Sequence, residues 1–440
     1  MTTTLRKTPS REQPLHAATV TAAEIQTKSL ERCERALDMM LTQRGRPFVE
    51  VERALADDPE CVFCHCLRAA LIVRADGNAP RSALAASIAA IEAICPDSNN
   101  PARRHAIAAR TWLGGDSAGA ASIYSEIFTD RPHDVLALAV AHALDFHLGR
   151  RRMMRDRIAK GLPQWTAEMP GYASVLAMYA FALEENGQYS RAEEMARRAL
   201  ALDPGHPGAI HVVAHVKEMQ GRFHDGLVFL TATESAWGEG TGLSVHLAWH
   251  LALFYLDAND PKSALAIYDA RMATADSSDI SALADDSALL WRLQLKSIEV
   301  SERWRLLADR WVRHNLAGTR PFYAVHAMMA FASAGYTAAA LRLFEALPRT
   351  VIDDASSPLP EEALAPPLCE ALLAFARGDY AGCVERLGLV RDIAHRCGGS
   401  LAQCDVIHLT FTEAALRAHR ACPVAHPGSP KRPSAPGVSL

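Results

Sequence analysis

His211 and His215 stand four residues apart, and His246 and His250 repeat that spacing 35 residues further along. A four-residue step on an α-helix returns to the same face, so each pair presents two imidazoles one above the other. Glu218 continues the first face. Neutral imidazoles placed this way on adjoining helices can ligate zinc, iron or copper, with Glu218 or Asp285 as a further ligand or as a partner behind one. Without a metal the same groups serve acid–base chemistry near neutrality, or hydrogen-bond a bound molecule. The glutamate of an HExxH zinc protease is missing, which excludes that signature. His142 on the apolar run DVLALAVAHALDF, His326 and Asp285 are secondary candidates for the same pocket, and Asp405 is a candidate for closing its far end.

Other motifs carry less. Cys61-Val-Phe-Cys64-His65 fits the CxxCH pattern of haem attachment. The polar start MTTTLRKTPSREQPLH has no apolar core of a signal peptide, so a reducing cytoplasm is the expected setting and haem attachment is not. Cys61, Cys64 and Cys66 read as small apolar residues of a packed helix rather than as a zinc or redox site. Six basic residues between Gly149 and Lys160 read as a solvated helix face, with no aromatic platform beside them. Ser400 and Gln403 have the spacing of a capping box, with Gly398 or Gly399 ending the preceding helix and Asp405 in the first turn of the next. Walker, GxSxG and dinucleotide fingerprints are absent from the sequence.

What must position these residues is helical. The chain has 440 residues, is 49% hydrophobic with 22% charged, and carries a net charge of −4. That balance excludes whole-chain disorder and argues against nucleic acid or an anionic membrane as the main partner. The uncharged stretch from Pro321 to Leu341, apart from its length, is too polar for a membrane span and reads as two packed helices. Residues 1–27 and 421–440 read as a disordered leader and a Pro-rich disordered tail, leaving 28–420 as one folded array.

Within that array a unit recurs. Gly187-Gln188-Tyr189 precedes Ala192, Ala196, Ala199 and then Pro204, and Gly221-Arg222-Phe223 repeats the turn 34 residues later with Gly226 and Leu230 in the small and apolar places. Gly378-Asp379-Tyr380 with Cys383 is a further copy, and residues 257–261 with Ala264 a weaker one. This layout resembles the tetratricopeptide unit, in which a small residue lets two helices approach and pairs stack because one pair cannot bury its own apolar face. The expected fold is therefore all-α, an α-solenoid of degenerate tetratricopeptide helix pairs, with roughly seven or eight pairs between 28 and 420.

The runs at 209–219 (AIHVVAHVKEM), 246–252 (HLAWHLA), 290–294 (LWRLQ) and 398–406 (GGSLAQCDV) resemble the tetratricopeptide repeat protein 38 family from about residue 30 to 420. The resemblance implies an all-helical solenoid and brings no activity with it. In tetratricopeptide arrays the first helix of each pair lines the concave side, which would aim both histidine pairs into the groove. If Asn259 is equivalent to Gly221, the two pairs differ by three positions in register, about 60° around the helix and one turn along it. Two functions follow: a binding protein holding a peptide segment or small molecule in a histidine-rich groove, or an enzyme using the cluster as a divalent-metal or acid–base site. Purely structural histidines are the third reading. An exposed terminal repeat would also allow a homodimer.

Overall fold

Gly187, Gly221, Gly335 and Gly378 take φ values of 72°, 67°, 74° and 79°, the left-handed conformation that ends one helix and turns the chain back. Asn259 and Ser297 occupy the same conformation at φ 60° each, so the hairpin rule continues where glycine is replaced. Prolines at the first helical positions of several units, including Pro101, Pro207, Pro261 and Pro321, cost no hydrogen bond there.

The protein is described from a computed structural model, which covers residues 22–75, 80–97, 100–275, 279–348 and 361–421. Among these residues the helices form ten consecutive pairs. The first four are α1 (Ala22–Thr42) with α2 (Pro47–Asp57), α3 (Val62–Arg74) with α4 (Arg81–Ile94), α5 (Pro101–Leu113) with α6 (Ser117–Asp130), and α7 (Val135–His147) with α8 (Arg151–Gly161). Next come α9 (Tyr172–Glu184) with α10 (Tyr189–Leu202) and α11 (Pro207–Met219) with α12 (Phe223–Ala232), followed by the single turn α13 (Glu234–Trp237). Then follow α14 (Ser244–Asp257) with α15 (Pro261–Ile267), α16 (Ile280–Leu295) with α17 (Ser301–Trp311), and α18 (Pro321–Ala334) with α19 (Thr337–Ala346). The last pair is α20 (Ala365–Ala376) with α21 (Tyr380–Val390), and α22 (Leu401–Ala421) stands alone. The protein is thus an all-α solenoid of tetratricopeptide-type pairs.

First helices differ from second helices in burial. α7, α11, α14 and α16 are buried around most of their circumference, whereas α10 buries one stripe formed by Ala192, Met195, Ala196 and Ala199. The first helices are the inner wall and the second helices the outer. Gly226 shows how close the layers come: a Cβ there would lie 2.4 Å from Cζ of the buried Phe254 ring.

The array curls until its first unit meets its sixth. The α1–α2 turn bonds to the loop before α14, with Gly45 N–H donating to Gly240 O at 2.9 Å and Gly242 N–H to Gln43 O at 2.7 Å. Arg44 adds a two-pronged pair with Asp203, at 2.8 and 3.2 Å. At the other end α22 turns back across the inner helices. Trp291 donates to Thr410 at 2.8 Å, Arg292 to the Ala402 carbonyl at 2.9 Å, and Leu401 N–H to Glu185 at 3.1 Å.

Four expectations are revised. There are ten pairs among the described residues instead of seven or eight, because degenerate units lack the glycine signal. α1 begins at Ala22, inside the stretch assigned to the leader; residues 1–21 and 422–440 lie outside the described residues. Cys64 is bonded to Cys33, with 5.8 Å between their Cα atoms, so it joins α3 to α1 and the CxxCH pattern has no free thiol pair. The basic run is not a solvated face throughout: Arg151 is held by Glu185 at 2.7 Å, and Arg157 is buried against Asp145.

Candidate functional site

α11 starts at a cap made by a side chain. His206 Nδ1 accepts from Ala209 N–H at 3.3 Å, so its proton sits on Nε2 and faces the Ser174 hydroxyl at 2.9 Å. From that start the four-residue step carries His211 and His215 onto the face between α9 and α14. On α14, His246 stacks on its neighbour Trp249 at 5.2 Å and 16° between planes, which fixes the face that also carries His250.

The four rings meet. Centroid distances are 4.3 Å for His211–His215, 4.8 Å for His211–His246, 4.6 Å for His215–His250 and 4.8 Å for His246–His250. The register offset therefore leaves both pairs in one place. One nitrogen from each ring can be chosen so that all four lie within 4.8 Å of one another. This is the donor set that could hold a metal.

Carboxylates stand behind three of the rings. His246 Nδ1 faces Asp285 at 2.8 Å, His250 Nδ1 faces Glu218 at 2.5 Å, and His215 Nδ1 lies 3.2 Å from Glu184. Gln403 of α22 donates to the second Asp285 oxygen at 3.0 Å and fixes that carboxylate. The Nε2 atoms of His211, His215 and His250 are buried without a hydrogen-bond partner.

Electrostatics keeps most of the cluster neutral. Burial, reinforced by the neighbouring rings, holds His211 and His250 well below the usual histidine range. Burial lowers His215 to about 4 against the pull of Glu185 and Glu218. His246 moves the other way: burial pushes it down, but the Asp285 carboxylate and its hydrogen bond, with Glu218, lift it above the ordinary value. Glu184 is raised to about 8, first by burial and then by Glu218 nearby.

Beside the rings lies a cavity of about 790 Å³. His211, His246 and Asp285 border it, as do His142, His147 and Arg74 of other inner helices and Arg320 just before α18, with Phe146, Phe181 and Phe322 as apolar walls. Leu41 and Gln43 of the first pair and the Gly398–Gln403 segment complete it. His142 is buried there and pushed down to about 3, by burial and then by Arg157 and Arg74.

Of the nine residues singled out in the sequence, seven come together: the four histidines and His142, Glu218 and Asp285. His326 does not line this cavity. Its Nδ1 is 2.7 Å from the Phe322 carbonyl one turn earlier, and the Phe322 ring lies against it at 4.3 Å. Asp405 is exposed on α22. The capping box that places it is as expected, with Ser400 N–H on Gln403 Oε1 at 3.1 Å and Gln403 N–H on Ser400 Oγ at 3.2 Å. It is Gln403 that faces inward; two positions further along a helix, Asp405 points away.

Sequence reasoning missed Glu184, His147, Arg74 and Phe181. For Glu184 a signal existed: it precedes Gly187 by three residues, as Glu218 precedes Gly221, so both occupy one repeat position, Glu218 bonding His250 and Glu184 lying 3.2 Å from His215. His147 stands two residues before the left-handed Gly149, in a unit whose degenerate turn the sequence shows, whereas the Arg74 unit has no such turn signal.

The tetratricopeptide repeat family profile matches residues 173–227, the two hairpins containing Glu184, His211 and His215. Among solved structures, this chain is similar to a human IFIT1 dimer with PPP-AAAA, at 13% identity over 92% of this chain and 88% of that one, with a TM-score of 0.40. It is also similar to yeast Tom70, at 10% identity over 92% of both chains and a TM-score of 0.38. PilW, a type IV pilus biogenesis factor, matches at 18% identity over 56% of this chain and 95% of that chain, with a TM-score of 0.28. Among the described residues no helix is long and apolar enough to cross a membrane.

Proposed function

We propose that this is a tetratricopeptide-type binding protein of the tetratricopeptide repeat protein 38 family, whose inner wall holds a small polar molecule against the histidine cluster. Three of the four runs that carry the family resemblance line the cavity, through His211, His246 and the Gly398–Gln403 segment, and Arg292 of the fourth packs over Trp249 beside the histidines. The observation that carries the reading is the cavity itself. At about 790 Å³ it falls in the size range of small-molecule sites, and it joins apolar walls to a few convergent polar groups. Arg74 and Arg320 suit an acidic group on the ligand. A peptide lying along the inner wall would compete with α22, which already packs there, so a small molecule is the better occupant.

The test is native mass spectrometry of the purified protein, followed by thermal shift with a panel of small carboxylic acids. A ligand that co-purifies or stabilises the protein, and is lost in Ala143→Trp, supports the reading. No bound mass and no stabilised member of the panel would refute it.

The carboxylate-backed imidazoles favour one second reading, an enzyme in which His246 and Asp285 move a proton at the cavity wall, since a base oriented by a third group is the usual arrangement for that work. Loss of turnover of the bound ligand in Asp285→Asn, with binding retained, would select it.

A further inference from the structure

We propose that His211, His215, His246 and His250 form a site for one divalent transition-metal ion, with Glu218 and Asp285 as the outer partners that orient the imidazoles. The inference stands apart from the small-molecule reading, since it concerns the four rings and not the contents of the cavity.

Three independent features of the geometry lead there. First, the four nitrogens lie within 4.8 Å of one another. A tetrahedral ion with metal–nitrogen distances of ~2.1 Å needs nitrogens about 3.4 Å apart. Side-chain adjustments of roughly an ångström close that difference, and the rings are already in contact.

Second, the rings are turned the way ligands are turned. A metal-binding imidazole gives its other N–H to a carboxylate or carbonyl, which fixes the tautomer and raises the basicity of the ligating nitrogen. Here His246 and His250 hydrogen-bond through Nδ1 to Asp285 and Glu218, which leaves their Nε2 lone pairs for the centre of the cluster. His215 Nδ1 lies 3.2 Å from Glu184.

Third, the alternative of a hydrogen-bonded structural cluster does not satisfy the same atoms. Nε2 of His211, His215 and His250 is buried with no partner, and a buried polar atom left unpaired is destabilising. A structural role would have paired these nitrogens with one another or with a hydroxyl, as His206 is paired with Ser174. One cation at their common centre satisfies all of them at once.

The donor set also states the class of ion. Four neutral nitrogens suit zinc, copper, iron or nickel and not calcium or magnesium, which take oxygen ligands. Four neutral ligands leave the full charge of the dication in place, and the Asp285 and Glu218 carboxylates behind them offset it. His211 and His246 face the cavity, so the ion has an entry path.

The experiment uses full-length protein purified without a polyhistidine tag. Elemental analysis as isolated is followed by chelator stripping and equilibrium dialysis against zinc, iron(II), copper(II) and nickel, one at a time. The expected result is about one tightly bound equivalent of one of these ions, reduced at least tenfold in affinity by His211→Gln with His250→Gln. Glu218→Gln should weaken binding about 10- to 100-fold without removing a ligand. His408→Gln, on the exposed face of α22, should leave it unchanged. Far-ultraviolet circular dichroism identifies any variant that fails to fold, and the single variant His211→Gln then replaces the double one. Folded protein that takes up none of the four ions, or binds one with unchanged affinity when the cluster is altered, would overturn the inference. Because metal is measured on protein free of small molecules, failure here leaves the cavity reading to its own test.

Discussion

His206 joins the pocket to the helix that carries two of its imidazoles, and its protonation state is legible from its bonds. Nδ1 accepts a backbone N–H, which a protonated ring cannot do. Burial lowers its pKa to about 4, with Asp203 pulling it up and Arg44 pushing it down. An unfolded histidine titrates near ~6.5, so between that value and 4 the unfolded chain takes up a proton the folded chain refuses. Stability from this group is therefore full above about pH 6.5 and declines as pH falls to 4, by up to about 3 kcal/mol. His206→Asn keeps a capping group without the titration, so its urea midpoint should fall less steeply across that interval than that of the unaltered protein; parallel curves would count against this account. At this scale the sequence was informative where both members of a pair share a helix. His211 with His215 and His246 with His250 were readable from a four-residue step, whereas Arg74, His147 and Phe181 join the site through curvature that no local spacing encodes.

The hairpin is the unit that sequence reading recovered best, because its signals are local: a left-handed residue, an aromatic, and a small residue at the helix crossing. Two substitutions test that logic in opposite directions. Ser297 stands in the left-handed conformation at φ 60°, which disfavours a residue with a Cβ, so Ser297→Gly should raise the melting temperature, by about 0.5–1 kcal/mol of stability. Gly226→Ala gains helix propensity but drives a methyl into the Phe254 ring, and overpacking of this kind costs about 1–3 kcal/mol. Thermal denaturation of both variants reads the signs directly. Asn259 was recognised as a turn residue and Ser297 was not, since serine in a turn carries no distinctive mark. The same weakness accounts for the undercount of pairs.

At the scale of the molecule, the contact between the α1–α2 turn and the 240–242 loop turns a trough into a ring. Its one ion pair, Arg44 with Asp203, is partly exposed, so it contributes about 0–1 kcal/mol to global stability. Its larger effect is local. In Asp203→Asn, amide exchange at Gly45 and Gly242 should quicken while the melting temperature stays nearly constant. The Asp203 carboxyl sits below its ordinary range because Arg44 outweighs the upward push of burial. Its contribution is thus present at neutral pH and lost as pH falls through that lowered value, so acid should speed exchange at the same two amides in the unaltered protein. Unchanged exchange in both conditions would show that the backbone bonds close the ring by themselves. None of this closure was legible beforehand, because it joins residues about 200 positions apart in the chain and depends on the small rotation added by each pair.

The placement of Gln403 has a bearing on how the chain matures. It steadies Asp285, which in turn steadies His246, yet it is translated roughly 190 residues after His211. At ~5–20 residues per second that is a delay of about 10–40 s. During that interval His246, once made, has a carboxylate partner that is not yet pinned from its far side, so the cluster gains its last hydrogen bond only after the C-terminal helix is made.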